Sequence, residues 1–389
     1  MRILVISPFF PPSANVAIMR ISSLTNHLIS NGHDVTVVRN EYDNDKRIST
    51  LSDSDERLLN LRTYTVPMDE KVRYFEASNR YKKVFRELMN KEEFDLVLIT
   101  AGPFYTIPLC DIAKNEYDTK CIIDYRDLWI FDLRNKIDFL KPVNLTKKAL
   151  YYPIERKNIS CADAVVTVTQ SWSNILKKVY RTDNIHIITN GYDDHQLKSK
   201  NEVINYEFDN KFVIAAFGKL AYYSEEYATR FFEAMKILSK NIPNLLVLHI
   251  GLPEEETYSA IRNSGFDNNR YINTGFINYK DGIQLLSNVD LSIIIDVRKG
   301  AMGTKLYDYI YVNKPLIYFG KRKTYLDYFI NEFIGGFSCY RKSDVINAVT
   351  KINENKISNL TNHNELENYS RSRQNKKYIN LIESLVNLK

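Results

Sequence analysis

Between Asp290 and Tyr318 the chain reads DLSIIIDVRKGAMGTKLYDYIYVNKPLIY, an order of residues that few folds accommodate. An apolar run, Leu291 to Ile295, ends on an acidic residue and gives way to a loop holding Gly300 and Gly303. A short helix is predicted from about Thr304, and Pro315 opens a second apolar run. Run, glycine loop, helix and run make one strand–helix–strand unit of a parallel sheet, since parallel neighbours need a crossover. Ligands of such sheets bind beyond the carboxyl ends of the strands, where the glycine loop lies. The N–H groups and dipole of a helix start favour an anion such as phosphate. Lys305 stands just inside this helix, and Asp308 follows one turn later on the same face. A cation for phosphate and an acid for ribose hydroxyls suit a nucleotide diphosphate. A solvated ion pair on a surface helix fits the same two residues, and such pairs are common and weak.

A length of 389 residues predicts two domains. The 44% hydrophobic and 26% charged residues are those of a globular protein. The opening MRILVISPFFPPS has too short an apolar run for a signal peptide, and no stretch approaches the ~20 apolar residues of a membrane span. The expectation is therefore a cytoplasmic protein with reduced thiols at Cys110, Cys121, Cys161 and Cys339. Neither the cysteines nor the six histidines have metal-ligand spacing, so no metal and no cofactor are expected. A net charge of +6 suits an anionic substrate or a membrane surface. No helix-turn-helix or RNA-binding pattern accompanies it, so nucleic acid is not an expected partner.

The first half starts with a strand, Arg2 to Ser7, a proline-rich loop, and a helix with Ile18, Ile21, Leu24 and Leu28 on one stripe. Asn31-Gly32 stops the helix and Asp34 to Arg39 is the next strand. Apolar runs at 96–100, 121–124, 164–169 and 185–189 continue the alternation. Polar residues 193–210 read as a linker, and a second set follows at 211–217, 245–250, 271–274, 291–295 and 316–319. A last helix carries Tyr378, Leu381, Ile382 and Leu385 on one stripe.

Several segments in this order resemble the retaining glycosyltransferases of family 4, which have the two-Rossmann-domain GT-B fold. They are SPFFPPSANVAIMRISSLTNHLISNGHDVTVV, IIDYRDLW, CADAVVTVT with IITNGYDD, AAFGKL, and TGFINYKDGIQLLSNVDLSIII ahead of the opening stretch. The resemblance implies an α/β protein of two doubly wound parallel-sheet domains facing across a cleft. Residues 1–197 would bind the acceptor, residues 198–370 the nucleotide-sugar, and a helix at 371–389 would cross back to the first domain. It implies transfer of a sugar, with retention, from a nucleotide-diphosphate donor (UDP by default) to a glycan or lipid-linked acceptor in bacterial surface polysaccharide synthesis. Two alternatives remain, a nucleotide-sugar epimerase of the same fold and a non-catalytic glycan-binding partner subunit.

The resemblance assigns donor binding to Gly218, Lys219, Phe276, Ile277, Arg298, Gly300, Gly303, Thr304, Lys305 and Asp308. Lys219 and Lys305 would stabilise the leaving diphosphate, Gly275 to Ile277 would meet the base, and Asp308 the ribose. The family's paired acids fall here on Gly300 and Asp308, so the first acid is missing. Asp124, Arg126 and Asp127 occupy the region where relatives carry a histidine; Asp127 or Asp124 would orient the acceptor or act as base. Asn15, Arg20 and Arg126 complete an acceptor site. Structural alternatives stand beside these: a surface lysine at 219, a core role for Phe276, a surface role for Arg20, and an ion pair of Arg126 with an aspartate. The segment KPVNLTKKALYYPIERK, 141–157, mixes cations with Leu150, Tyr151 and Tyr152. It suits either peripheral contact with the inner face of a membrane or a solvated helix face.

Overall fold

The computed structural model describes residues 1–12, 18–41, 56–69, 71–131, 142–194, 208, 210–300 and 303–387. Asn15 and most of the expected linker at 193–210 lie outside the described residues. The chain divides into two compact units, Met1–Gln196 together with Arg371–Lys389, and Leu197–Ser370.

Seven parallel strands build the first unit: β1 (Arg2–Ile6), β2 (Asp34–Asn40), β3 (Arg62–Val66), β4 (Leu96–Ala101), β5 (Lys120–Tyr125), β6 (Ala164–Thr167) and β7 (Ile185–Ile187). Their spatial order is β3-β2-β1-β4-β5-β6-β7. Strand β1 pairs Ile3 with Val35 on one side and with Leu96 on the other. Its side chains alternate between two cores. Leu4 and Ile6 pack with Tyr81 and Phe85, whereas Ile3 and Val5 pack with Ile21, Leu24 and Leu28. Burial on both faces is why this strand is an unbroken apolar run. Helix Arg371–Val386 lays Tyr378, Ile379 and Ile382 on the second of these cores.

The second unit repeats the design with β8 (Phe212–Phe217), β9 (Leu245–Ile250), β10 (Tyr271–Asn273), β11 (Leu291–Asp296), β12 (Leu316–Gly320) and β13 (Gly336–Cys339). The order is β10-β9-β8-β11-β12-β13, parallel throughout. Helix Glu225–Leu238, capped by the Ser224 hydroxyl, buries Phe231, Phe232 and Met235 against Ile214 and Val247. In both units the strand order reverses once, between β1 and β4 and between β8 and β11, which is where doubly wound sheets bind ligands.

Strands β3 and β13 are the ones sequence patterning does not anticipate. Each is the outermost strand of its sheet, and each buries a single side chain fully, Val66 in one and Cys339 in the other. With one edge and part of a face open, their residues carry little apolar signal.

Helix Pro142–Cys161 holds a buried carboxylate, Glu155, which accepts the Tyr180 hydroxyl. Burial raises the Glu155 pKa to about 7, against the hydrogen bond from Tyr180 that favours its ionised form. The folded pKa lies above the ordinary value of 4.5, so the folded chain holds this proton more tightly than the unfolded chain. Stability from this group is therefore greatest in acid and declines as pH rises from 4.5 to about 7. The decline should be on the order of 3 kcal/mol, and Glu155→Gln should remove it. Urea melts of parent and variant at the two ends of that window check this; equal pH slopes would refute it.

Candidate functional site

Strands β8 and β11 are paired only through Leu291 with Ile214 and Ser292 with Ala215. Beyond that point the hydroxyl of Tyr309 fills the gap between them. It accepts the N–H of Phe217 at 2.6 Å and lies 3.4 Å from the carbonyls of Phe217 and Ile293. Tyr309 belongs to helix Lys305–Val312, so this one buried hydroxyl fixes the helix start against the carboxyl ends of both strands. Tyr309→Phe leaves the Phe217 N–H without its partner and should destabilise the second unit by about 1–3 kcal/mol. A urea-melt difference near zero would show that the hydroxyl holds nothing.

The helix start places Lys305 against Gly218. Gly218 has φ +96°, and a Cβ there would lie 3.6 Å from Cγ of Lys305. The Lys305 ammonium sits 3.6 Å from the centroid of the Phe217 ring and 5.2 Å from that of Tyr279. Desolvation lowers its pKa, opposed by Asp308, whose carboxylate is 3.7 Å away. Asp308 is buried and accepts the Tyr279 hydroxyl at 2.5 Å. A carboxylate has four lone-pair sites, so Tyr279 does not exhaust it. Tyr279 was not anticipated, because it lies 29 positions away on another helix.

Lys219 is half-exposed, with its ammonium 4.5 Å from the Tyr222 ring centroid and 3.4 Å from Glu254. Glu254 is buried and receives the N–H groups of Leu220, Ala221 and Tyr222 at 3.1, 2.8 and 3.3 Å on one oxygen. Three backbone donors fix the turn that carries Lys219, so Glu254 is a positioning residue for that turn. His249 supports it from β9. Its Nε2 lies 2.7 Å from the Gly218 carbonyl and its Nδ1 3.0 Å from the Tyr271 hydroxyl. Desolvation lowers the His249 pKa. The neutral ring then donates from Nε2 to the carbonyl and accepts the tyrosine hydroxyl at Nδ1. Neither Glu254 nor His249 was singled out from the sequence, where nothing marks a partner more than thirty positions away.

The other expected donor residues divide. Phe276 is 74% exposed, which excludes the core alternative, and it follows Gly275, whose φ is +69°. Ile277 beside it is partly buried. Arg298 forms an ion pair at 2.6 Å with buried Asp296 and stacks 3.6 Å from the Tyr223 ring centroid. Gly300 is partly buried and Gly303 exposed, and a Cβ at Gly303 would meet nothing within 4 Å. Thr304 is exposed and its side chain does not cap the helix.

In the first unit Arg20 and Asp124 form a buried bidentate pair, at 2.9 and 3.2 Å. The remaining Arg20 N–H groups reach the carbonyls of Ile188 and Thr189 and the side chain of Asn190. All five guanidinium donors are thus engaged, and the guanidinium lies 5.6 Å from the Tyr378 ring centroid. The burial of this pair excludes the surface role weighed for Arg20, and it commits Arg20 and Asp124 to each other. The ion pair weighed for Arg126 is made by Arg20 instead.

Arg126 makes no hydrogen bond or ion pair among the described residues, although burial lowers its pKa and the nearby charges of Asp127 and Asp124 oppose the shift. It lines a pocket with Ser7, Phe9, Arg20, Ile21, Thr100, Gly102 and Asp124, at the carboxyl ends of β1, β4 and β5. Asp127 is partly buried next to it in sequence.

Residues 19–196 match the family model Glycosyltransferase Family 4. No curated protein sequence matches the chain. Among solved structures, the chain is similar to a glycosyltransferase from Rickettsia africae ESF-5, with 15% identity and a TM-score of 0.70 over 99% of this chain and 98% of that one. It is similar to Anabaena Alr3699/HepE in complex with UDP, with 14% identity and a TM-score of 0.67 over 99% and 100% of the two chains. It is also similar to a Listeria monocytogenes protein described as a UDP-N-acetylglucosamine 2-epimerase, with 12% identity and a TM-score of 0.64 over 100% and 97%. Identities this low carry the fold and nothing finer.

Proposed function

The chain has the GT-B fold and carries a Glycosyltransferase Family 4 domain at residues 19–196, and from that premise we propose that it transfers a sugar from a nucleotide-diphosphate donor to a hydroxyl acceptor with retention. One observation carries the reading: Lys305 packs on Gly218, and Lys219 follows Gly218 in the chain, at the carboxyl ends of β8 and β11. Two ammonium groups there can neutralise the charge that develops on a departing diphosphate, and fixed charges of this kind cost no reorganisation as the bond breaks. In this reading no metal is required. Asp308, shared with Tyr279, accepts ribose hydroxyls, and exposed Phe276 stacks on the base. UDP is the donor nucleotide we propose, supported by the UDP complex of the similar Anabaena protein.

On the first unit, Arg126 and Asp127 are the proposed acceptor contacts. The leaving phosphate oxygen takes the acceptor proton, which relieves the chain of a dedicated side-chain base. A glycan or lipid-linked acceptor of bacterial surface polysaccharide is the proposed class. Peripheral attachment to the inner face of a membrane fits helix Pro142–Cys161, where Leu145 and Leu150 are about half exposed beside Lys147 and Arg156. Among the described residues no helix is long and apolar enough to cross a membrane. The epimerase reading keeps its place through the fold shared with the Listeria protein.

A panel of UDP-sugars, incubated with the purified chain and EDTA, with and without lipid-linked acceptors, tests the reading. Sugar transfer that needs an acceptor and survives EDTA is the expected result. Epimerised donor formed without any acceptor would favour the alternative, and a strict need for added magnesium or manganese would overturn the metal-free mechanism.

A further inference from the structure

Lys299, Lys321, Arg322 and Lys323 are exposed on the loops that follow β11 and β12. The Tyr325 N–H donates to the Lys299 carbonyl at 3.0 Å and ties the two loops together. The backbone beneath these side chains is fixed. The Tyr318 hydroxyl donates to the Lys321 carbonyl at 3.0 Å, and the Lys323 N–H donates to the Asp327 carboxylate at 2.7 Å. Asp327 itself is buried and further occupied by the Tyr340 hydroxyl at 2.6 Å.

None of the four cations forms an ion pair among the described residues; Arg322 rests 4.2 Å from the Tyr340 ring centroid. The cations nearer the strand ends differ in this respect. Lys219, Arg298 and Lys305 each face a carboxylate, at 3.4, 2.6 and 3.7 Å. Three consecutive like charges on a fixed backbone repel one another, and no carboxylate among the described residues pairs with them. A surface that needs only solubility intersperses both signs. These charges lie on the same strand ends as the proposed donor site, and Arg298, next to Lys299, stacks on Tyr223 of the loop that follows β8.

We propose that Lys299, Lys321, Arg322 and Lys323 form an electrostatic capture surface that speeds association of the donor's nucleoside diphosphate without contacting it once bound. This rests on the donor-site reading above. Summed like charge around a cleft raises the on-rate of an anionic ligand by roughly 10–10³-fold. Its reach is set by the Debye length, about 8 Å at physiological ionic strength, so only loops adjoining the site can act. Lys219 and Lys305 then hold the phosphates, and the outer four act before contact.

Stopped-flow binding of UDP to the full chain tests this, comparing the parent with a variant carrying K299Q, K321Q, R322Q and K323N. Asparagine is used at 323 because φ there is +60°. The association rate constant should fall about tenfold at low salt, while dissociation changes little. The two proteins should converge at 1 M salt, where the Debye length is about 3 Å. Unchanged association, or an effect confined to dissociation, would overturn the proposal. So would lost binding to phosphatidylglycerol vesicles with UDP association intact, which would assign the cations to a lipid surface. If the fourfold variant does not fold, K321Q/R322Q carries the same comparison with a smaller expected drop. A parent that binds no UDP would overturn the donor-site reading itself; a parent that binds UDP at the variant's rate would leave that reading standing and remove only the capture role.

Discussion

Lys305→Ala is expected to lower turnover by about 10²–10³-fold with the fold intact. The ammonium lies over Phe217 and against Gly218, at the switch between β8 and β11, where the proposed donor diphosphate departs. The Phe217 and Tyr279 rings border the ammonium on one side, and its other side stays open to a ligand. Lys219→Ala should cost less, because its ammonium rests over Tyr222 and beside Glu254, whereas Lys305 packs directly on Gly218. Desolvation lowers the Lys305 pKa, so activity should also fall with rising pH before an ordinary lysine would titrate. Steady-state kinetics of the two variants, with melting curves to confirm folding, decide the matter. A folded Lys305→Ala protein with near-parental turnover would remove Lys305 from the proposed mechanism.

The largest loss of stability is expected from Asp124→Ala, about 3–5 kcal/mol. The change leaves the Arg20 guanidinium buried, with two of its five N–H groups unpaired and no compensating charge. A double replacement of both partners by apolar residues of similar volume should recover much of the loss, because it removes the buried charge together with its counter-ion. Urea melts of the single and double variants test this. A loss below about 1 kcal/mol for Asp124→Ala would mean that solvent reaches the pair and that its burial is not what secures it.

The central strands of both sheets were legible because each is buried on two faces and must be apolar throughout; the edge strands β3 and β13 were not, because their exposed residues are free to vary. The glycine loop after β11 was legible for a different reason. Glycine, threonine and lysine between an apolar run and a helix are local punctuation, and local punctuation survives in one dimension. The residues that hold the candidate sites in place left no such trace. Tyr309 acts on Phe217 from 92 positions away, Glu254 on Leu220 from 34, and Arg20 on Asp124 from 104. A buried carboxylate receiving three N–H groups looks, in sequence, like any acid in the run Glu254 to Glu256. Asp124 was selected at a strand end, and Arg20 on the helix that follows β1. Only their mutual geometry distinguishes a structural pair from two ligand contacts.

Helix Arg371–Val386 completes the first unit only after the whole second unit has been made. On the ribosome, the core formed by Ile3 and Val5 with Ile21, Leu24 and Leu28 therefore emerges early and lacks its last helix, while the intervening residues are contiguous and can close on themselves. The order of maturation then runs against the order of synthesis: the second unit can finish first, and the first remains incomplete until Tyr378 reaches its place beneath Arg20.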